Sequence, residues 1–510
     1  MTDRLFTESD IEQIEAIGLT VEAVLEQIEI FQRGVPPVNL NRPCTINDGI
    51  VTIPDKEQDV FLAAYDEAAA DGRFLKFVPA SGAASRMFKD WYMILGKGGP
   101  DLEEADVKFV QDLRKFAFFD DLNRLVSRRG ENIDDLIRNG KFDDILKYIL
   151  TPEGLNYGCL PKALLKFHTY PLKGSRTALE EHLAEVVLYG RDNNRTCRIH
   201  FTVSDEHKKA VEEYLLQLKG DYEALYDVIF DLELSVQFPF TNTIAVDMEN
   251  RPLRNQDGSL VFRPAGHGAL LENLNQINGD VIFIKNIDNV VPDRLKTLTI
   301  IYKKILGGYL IILQKEIFRY LHLLSEEEIN EERIREMTDF CKEKLNITFP
   351  VGFDILSVSE RCAFIYERLN RPLRVCGIVR NEGEPGGGPF WVDEGDGIQS
   401  LQIVEEFQVD KNSSAQQAIW SSATHFNPVD LVCGVRDYRM RNFDLHQFAN
   451  RKAVGISQKS EKGREIRALE LPGLWNGSMY FWNTVFVEVP PETFNPVKNV
   501  DDLLRDEHQP

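Results

Sequence analysis

Residues 263–289 read RPAGHGALLENLNQINGDVIFIKNIDN, and the fold class turns on how this stretch divides. It opens with Gly266-His267-Gly268, a turn whose missing side chains let something flat lie against the backbone. A short helix follows, with Leu270, Leu274 and Ile277 at i, i+4 and i+7. Then comes an uninterrupted apolar run, Val281-Ile282-Phe283-Ile284, closed by Asn286, Asp288 and Asn289. Such a run suits a strand covered on both faces, as in a parallel sheet. A carboxylate just past the carboxyl end of that strand stands where open α/β sheets bind ligands.

The flanking sequence keeps the same rhythm. Strands are expected at 74–79, 198–203 and 232–238, and helices at 177–189 and 205–218, which argues for a mostly parallel sheet. Two short helices are expected within 7–33, an irregular connection over 34–56, and a further helix over 57–71. Residues 90–156 and 293–347 read as helical insertions. The expected organisation is an N-terminal helical segment (1–72), a catalytic domain (73–504) and a short tail (505–510).

At 510 residues, with 43% hydrophobic and 27% charged residues, the composition is that of a globular protein. The net charge of −22 argues against a general nucleic-acid surface, because phosphates would be repelled, but leaves room for a local basic pocket. Seven scattered cysteines without a C-x-x-C spacing suggest free thiols in a reducing cytoplasm. The acidic N-terminus lacks the features of a signal peptide, and Leu298–Leu313 is too short and too charged to be expected to span a bilayer.

After the strand at 74–79 come Ala80, Ser81, Gly82, Ala83, Ala84 and Ser85, then Arg86 and Lys89. Small residues between a strand and a helix expose backbone N–H groups, the construction of a phosphate cradle, although tight turns share it. Seven short motifs, in order, resemble those of the nucleotide-sugar pyrophosphorylases, especially the UTP–glucose-1-phosphate and UDP-N-acetylhexosamine uridylyltransferases. Pro79–Met87 resembles the family's L-A-G-G-x-G-T-R-M loop, and Leu160-Pro161-Lys162 its Pro-Lys. Pro264–Gly268 resembles P-x-G-H-G, and Asn286–Asn289 resembles N-x-D-N. Ile403–Val409 resembles L-L-E-x-x-Q-V, Phe426–Leu431 resembles F-N-T-N-N-L, and Phe494–Leu504 resembles F-x-P-V-K-x-x-x-D-L-L.

The resemblance implies an α/β, glycosyltransferase-A-like nucleotidyltransferase fold: a mostly parallel mixed sheet flanked by helices, with helical insertions. It implies transfer of a nucleotidyl group, uridylyl first, from a nucleoside triphosphate to a sugar 1-phosphate. On that reading Arg86, Lys162 and Lys498 are the catalytic cations, and Ala80, Ser81, Gly82, Ser85 and Lys89 cradle the phosphates. Gly266, His267 and Gly268 hold the base, while Asn286, Glu405 and Asn427 meet the sugar. Asp288 and Asp430 hold Mg2+. Ser81 and Ala84 replace expected glycines, the distance to Pro161-Lys162 is long, and the glycine-rich turn at 383–389 and the connection at 410–425 have no counterpart. These departures imply an uncharacterised bacterial branch with divergent sugar specificity. They also keep two alternatives open, a nucleotide-sugar-binding protein without turnover and a glycosyltransferase.

Overall fold

The structure, a computed structural model, describes residues 5–82, 84–97, 109–171, 174–326, 328–383, 386–461 and 464–510. The fold is mixed α/β, a large and mostly parallel sheet flanked by helices. Two compact units alternate along the chain. The first comprises Met1–Asp66, Gln237–Phe283 and Ile305–Val489, the second Glu67–Val236, Ile284–Lys304 and Pro490–Pro510.

In the first unit, Thr45–Ile46, Gly49–Val51, Asn483–Glu488 and Leu373–Arg380 pair in parallel, and His425–Gly434 joins Leu373–Arg380 antiparallel. Beside His425–Gly434 lies Val281–Lys285, buried at every residue as the unbroken apolar run requires. A smaller sheet of Phe262–Arg263, Thr243–Val246, Arg464–Glu470 and Gly455–Glu461 carries the N-terminal helices Glu8–Ala16 and Val21–Arg33. Ile14, Val24, Ile28 and Phe31 are buried there with Ile244, Val246 and Leu469, each side chain contributing about 1.5–3 kcal/mol. The N-terminal segment is therefore part of this unit's core.

The stretch expected to be irregular, 34–56, and the long 410–425 connection both hold regular elements. Residues 34–56 hold the strands Leu40–Pro43, Thr45–Ile46 and Gly49–Val51, too short to show an alternating pattern. The 410–425 connection holds the helix Ser414–Ser421, capped by the Ser413 hydroxyl, which accepts from the Gln416 N–H.

Lys296–Glu326 forms a single helix of 31 residues. By length and composition it suffices to cross a membrane, contrary to the shorter segment expected from the sequence, although half of its most apolar window is buried inside the protein. Gly307 and Gly308 explain that packing. A Cβ at Gly308 would lie 1.8 Å from the Phe61 carbonyl oxygen, and one at Gly307 2.7 Å from the Tyr65 ring, so only glycines admit the helix Asp55–Ala70 this close.

In the second unit Phe74–Pro79, Thr196–Val203 and Ile229–Val236 run parallel, connected by the helices Ala178–Tyr189 and Asp205–Tyr226. The insertion folds as Phe119–Arg128, Ile133–Arg138 and Phe142–Leu150. Trp91 packs in this unit with ring centroids 5.4, 5.5 and 6.4 Å from Phe109, Phe116 and Phe118. Residues 98–108 of the insertion expected at 90–156 lie outside the described residues.

Candidate active site

Four separated stretches of the second unit meet beyond the strand Phe74–Pro79. The Pro79 carbonyl accepts the Ile287 N–H at 3.3 Å, which seats Asn286–Asn289 beside the strand end. The small-residue loop is bracketed by Leu160-Pro161-Lys162: the Ala84 N–H donates to Leu160 O at 3.1 Å, and the Lys162 N–H to Gly82 O at 3.4 Å. The C-terminal motif closes on both. Val497 N–H donates to Asp288 O at 3.0 Å and Val500 N–H to Met87 O at 3.1 Å, while Asn289 Oδ1 accepts the Asn495 N–H at 3.0 Å.

At their meeting point Lys162, Asp288 and Lys498 form a triad. Lys162 Nζ donates to Asp288 Oδ2 at 2.9 Å and to Val497 O at 2.8 Å. Lys498 Nζ lies 3.0 Å from Oδ2 and 3.3 Å from Oδ1. Burial alone would raise the Asp288 carboxyl; the ammonium groups of Lys498 and Lys162 outweigh it and hold the group below the usual carboxylate range. Two cations against one anion leave a local excess of positive charge in a chain of net charge −22. Arg86, in the 3-10 turn Ala84–Arg86, and Lys89, the first residue of the helix Lys89–Lys97, are both exposed. Ser81, Gly82 and Ser85 keep some exposure, whereas Ala80 is buried and its N–H donates to Thr202 O at 2.8 Å. That N–H is committed to the fold.

Behind this loop sits a buried cluster that sequence reading missed. Glu185 Oε1 is 3.0 Å from Lys76 Nζ and Glu185 Oε2 is 2.8 Å from Lys285 Nζ, with all three side chains buried. Burial, reinforced by Lys285 and Lys303 against the pull of Glu185, pushes Lys76 down to about 7. Burial would raise the Glu185 carboxyl, but Lys285, Lys76 and Lys303 drive it well below its ordinary value. His182, one helical turn before Glu185, is kept neutral by burial and by Lys76. Its Nε2 therefore carries the proton and donates to Ile287 O at 3.2 Å, gripping the residue next to Asp288. A signal was present: Lys76 stands inside the apolar strand FLKFVP, and a lysine there needs a partner.

The remaining expected residues lie in the first unit, apart from Asn286, which is half-buried in the second. His267 occupies the 3-10 turn Gly266–Ala269. Its Nδ1 accepts the Leu474 N–H at 2.9 Å, so the neutral ring carries its proton on Nε2, 3.6 Å from Glu405 Oε1. Trp475 stacks on the ring at 4.0 Å and 9°. The glycines serve this contact: a Cβ on Gly268 would stand 2.3 Å from Pro472 O, and one on Gly473 2.5 Å from the His267 ring. Gly266 has φ +76, a conformation that favours glycine. One face of the His267 ring is therefore covered by an indole of the same unit.

Glu405 follows the strand Ile398–Val404 and, with Phe407, Trp420, His425 and Phe426, lines a pocket of about 490 Å³. Asn427 is buried; its Oδ1 accepts the Val429 N–H at 3.1 Å and its Nδ2 has no hydrogen-bond partner. Val429 stands at φ +57, a left-handed conformation costing a β-branched residue about 1–3 kcal/mol. Asp430 is buried next to it in the strand His425–Gly434. Among the described residues no three His, Cys, Asp or Glu side chains cluster as a metal site.

Residues 7–509 match the family described as Domain of unknown function (DUF4301), and the chain belongs to that family. No curated protein matches it. Among solved structures it is similar to a UDP-glucose pyrophosphorylase variant from Leishmania major in complex with UDP-glucose, at 12% identity and a TM-score of 0.44, covering 98% of this chain and 78% of that one. It is also similar to a uridine diphosphate N-acetylglucosamine pyrophosphorylase from Trypanosoma brucei, at 11% identity and a TM-score of 0.45, covering 98% of this chain and 82% of that one. Likeness at that level assigns no chemistry to this chain.

Proposed function

We propose that this protein transfers a nucleotidyl group, uridylyl first, from a nucleoside triphosphate to a sugar 1-phosphate, releasing pyrophosphate. The observation that carries the reading is the triad. Lys162, Asp288 and Lys498 come from three separate motifs, and backbone hydrogen bonds lock those motifs around one buried carboxylate.

In the proposed reaction a sugar-phosphate oxygen attacks the α-phosphorus, the bond to the β-phosphate oxygen breaks, and pyrophosphate leaves. Such a step needs alignment and charge neutralisation more than covalent help. Lys162, anchored on Val497 O, is a fixed cation for the α-phosphate, and the more exposed Lys498 reaches the sugar phosphate. Arg86 and Lys89 face solvent, open to the departing pyrophosphate. Within the first unit, taken by itself, His267 Nε2 and Glu405 Oε1 stand 3.6 Å apart, a donor beside an acceptor.

A magnesium ion fits only in company. Asp288 is one hard carboxylate already holding two ammonium groups, so the ion would take it together with phosphate oxygens and water. Bound there, it would neutralise charge on the phosphoryl group in transfer.

The test is a screen of nucleoside triphosphates against sugar 1-phosphates for pyrophosphate release. We expect turnover with at least one pair, and Lys162→Met or Asp288→Asn to lower kcat/KM by about 10²-fold or more. No release from any pair, or near-wild-type rates in both variants, refutes it. The reading as a nucleotide-sugar-binding protein without turnover is favoured by one feature. The N–H groups of Ala80 and Ala84 serve the fold, which thins the phosphate cradle. Calorimetric binding of a UDP-sugar without turnover would select it.

A further inference from the structure

In the second unit a pair of buried histidines docks the segment that follows Lys498. His168 lies in the strand Lys166–Tyr170 and His508 in the 3-10 turn Asp506–His508. Their rings are 5.2 Å apart and within 11° of parallel, with His168 Nε2 2.9 Å from His508 Nδ1. On its other side His168 Nδ1 stands 3.0 Å from Glu181 Oε1, on the helix Ala178–Tyr189. Glu181 is buried and also accepts from the Tyr170 hydroxyl at 2.6 Å and from Lys296, with Arg176 3.6 Å away. Asp293 in turn binds Arg176 at 2.7 Å and Lys296 at 2.9 Å.

These bonds fix the protons. Burial would raise the Glu181 carboxyl, but His168 and Lys296 outweigh it and keep the group ionised, so it only accepts and His168 Nδ1 donates. Burial, helped by Lys296 and Arg176, keeps His168 neutral against the pull of Glu181. Its Nε2 therefore accepts, His508 Nδ1 donates, and His508 Nε2 is left bare, buried and without a hydrogen-bond partner. A proton placed there would be a buried charge with no acceptor. It would also face Arg505 on its own segment and Arg294 beside it, with Glu181 the opposing charge across His168; the Asp506 and Glu507 carboxylates are exposed. Burial first, then His168, Arg505 and Arg294, press the His508 imidazole down to about 3.

The docked segment continues into the backbone that presents Lys498. Arg294 donates to the carbonyls of Asp506 and Gln509, and Arg505 pairs with Asp502. Asp502 Oδ2 accepts the N–H groups of Lys498 at 2.6 Å and Asn499 at 2.8 Å, and Lys498 Nζ lies 3.0 Å from Asp288 Oδ2.

We propose that His168 and His508 form a proton-operated clasp: while neutral they hold residues 500–509 and with them the backbone of Lys498, and on protonation they release both. Its bearing on turnover rests on the transferase reading; the release itself does not. A histidine depressed in the docked state supports docking above its released value of about 6.5 and loses that contribution as pH falls. Each histidine that takes a proton on release multiplies the open fraction about tenfold between pH 7.5 and 5.5. Asp288, with its carboxyl depressed, keeps its charge across that window. Lys76, at about 7, titrates within it but belongs to the strand Phe74–Pro79, so readouts on 500–509 are read apart from it.

Hydrogen exchange of residues 500–509 in the full chain, corrected for the intrinsic rate, measures the opening. In wild type it should rise about tenfold or more from pH 7.5 to 5.5. His508→Asn keeps a donor towards His168, and His508→Phe fills the space without a proton to take; each should lose about a factor of ten of that rise. A wild-type rise below about threefold, or a rise unchanged in both variants, overturns the clasp. For a substrate pair that turns over, kcat/KM should fall across the same window in wild type and less steeply in His508→Asn, and identical pH profiles would overturn the link to Lys498. Turnover with no pair refutes the transferase reading, while the exchange measurements still decide the clasp.

Discussion

Replacing Glu185 with glutamine keeps the shape of the buried cluster and removes its one negative charge. The carboxylate lies 2.8 Å from Lys285 and 3.0 Å from Lys76, and all three side chains are buried. Breaking a buried ion pair by deleting one partner costs about 3–5 kcal/mol. The cost has a ceiling, because a lysine left alone can shed its proton. Lys76, at about 7, does so near neutral pH with little penalty. Lys285 is the ammonium left exposed to the loss. Discharging a lysine of ordinary pKa, about 10.4, costs about 4 kcal/mol at pH 7.5 and about 1 kcal/mol at pH 9.5. Glu185→Gln should therefore lower unfolding stability by about 3–4 kcal/mol at pH 7.5, and the deficit should shrink towards about 1 kcal/mol at pH 9.5. Urea unfolding of both proteins at the two pH values measures this. A deficit under about 1 kcal/mol at pH 7.5, or one that does not change with pH, refutes the assignment of Glu185 as the counter-charge.

Other expectations follow from the same geometry. Asp288, with its carboxyl depressed in the folded state, contributes stability that is present above the unfolded value of about 4 and lost as pH falls through the folded value. Acid unfolding should steepen below about pH 4, and Asp288→Asn should flatten that limb. Gly308→Ala should destabilise by about 2 kcal/mol or more through its collision with the Phe61 carbonyl. Gly220→Ala, in the helix Asp205–Tyr226 with open space around it, should stabilise by about 0.5–1 kcal/mol, and thermal melts separate the two. Trp475→Ala, which removes the ring stacked on His267, should raise KM for the nucleoside triphosphate about tenfold and change kcat little. An unchanged KM would remove His267 from the base site.

What was legible in the sequence was whatever repeats locally. The strands at Phe74–Pro79 and Val281–Lys285 and the helix Ala178–Tyr189 announce themselves because burial patterns along one segment depend only on that segment. Strands of two to four residues carry no period and went unread. The same limit applies to the site. Asp288 stood out as a carboxylate past a buried strand, but its lysines lie 126 and 210 residues away. Only the ordered motifs linked them. Glu185 belongs to no motif, and its lysines sit 109 and 100 residues distant, so nothing local paired them. A lysine inside an apolar strand says that a counter-charge exists and not where it is. His182 shows why that gap matters for function: the helix that supplies Glu185 to the lysines also grips Ile287, so the charge hidden in the core and the carboxylate at the candidate site are positioned by one element. Disturbing the first should displace the second, although no residue of the buried cluster needs to touch a substrate.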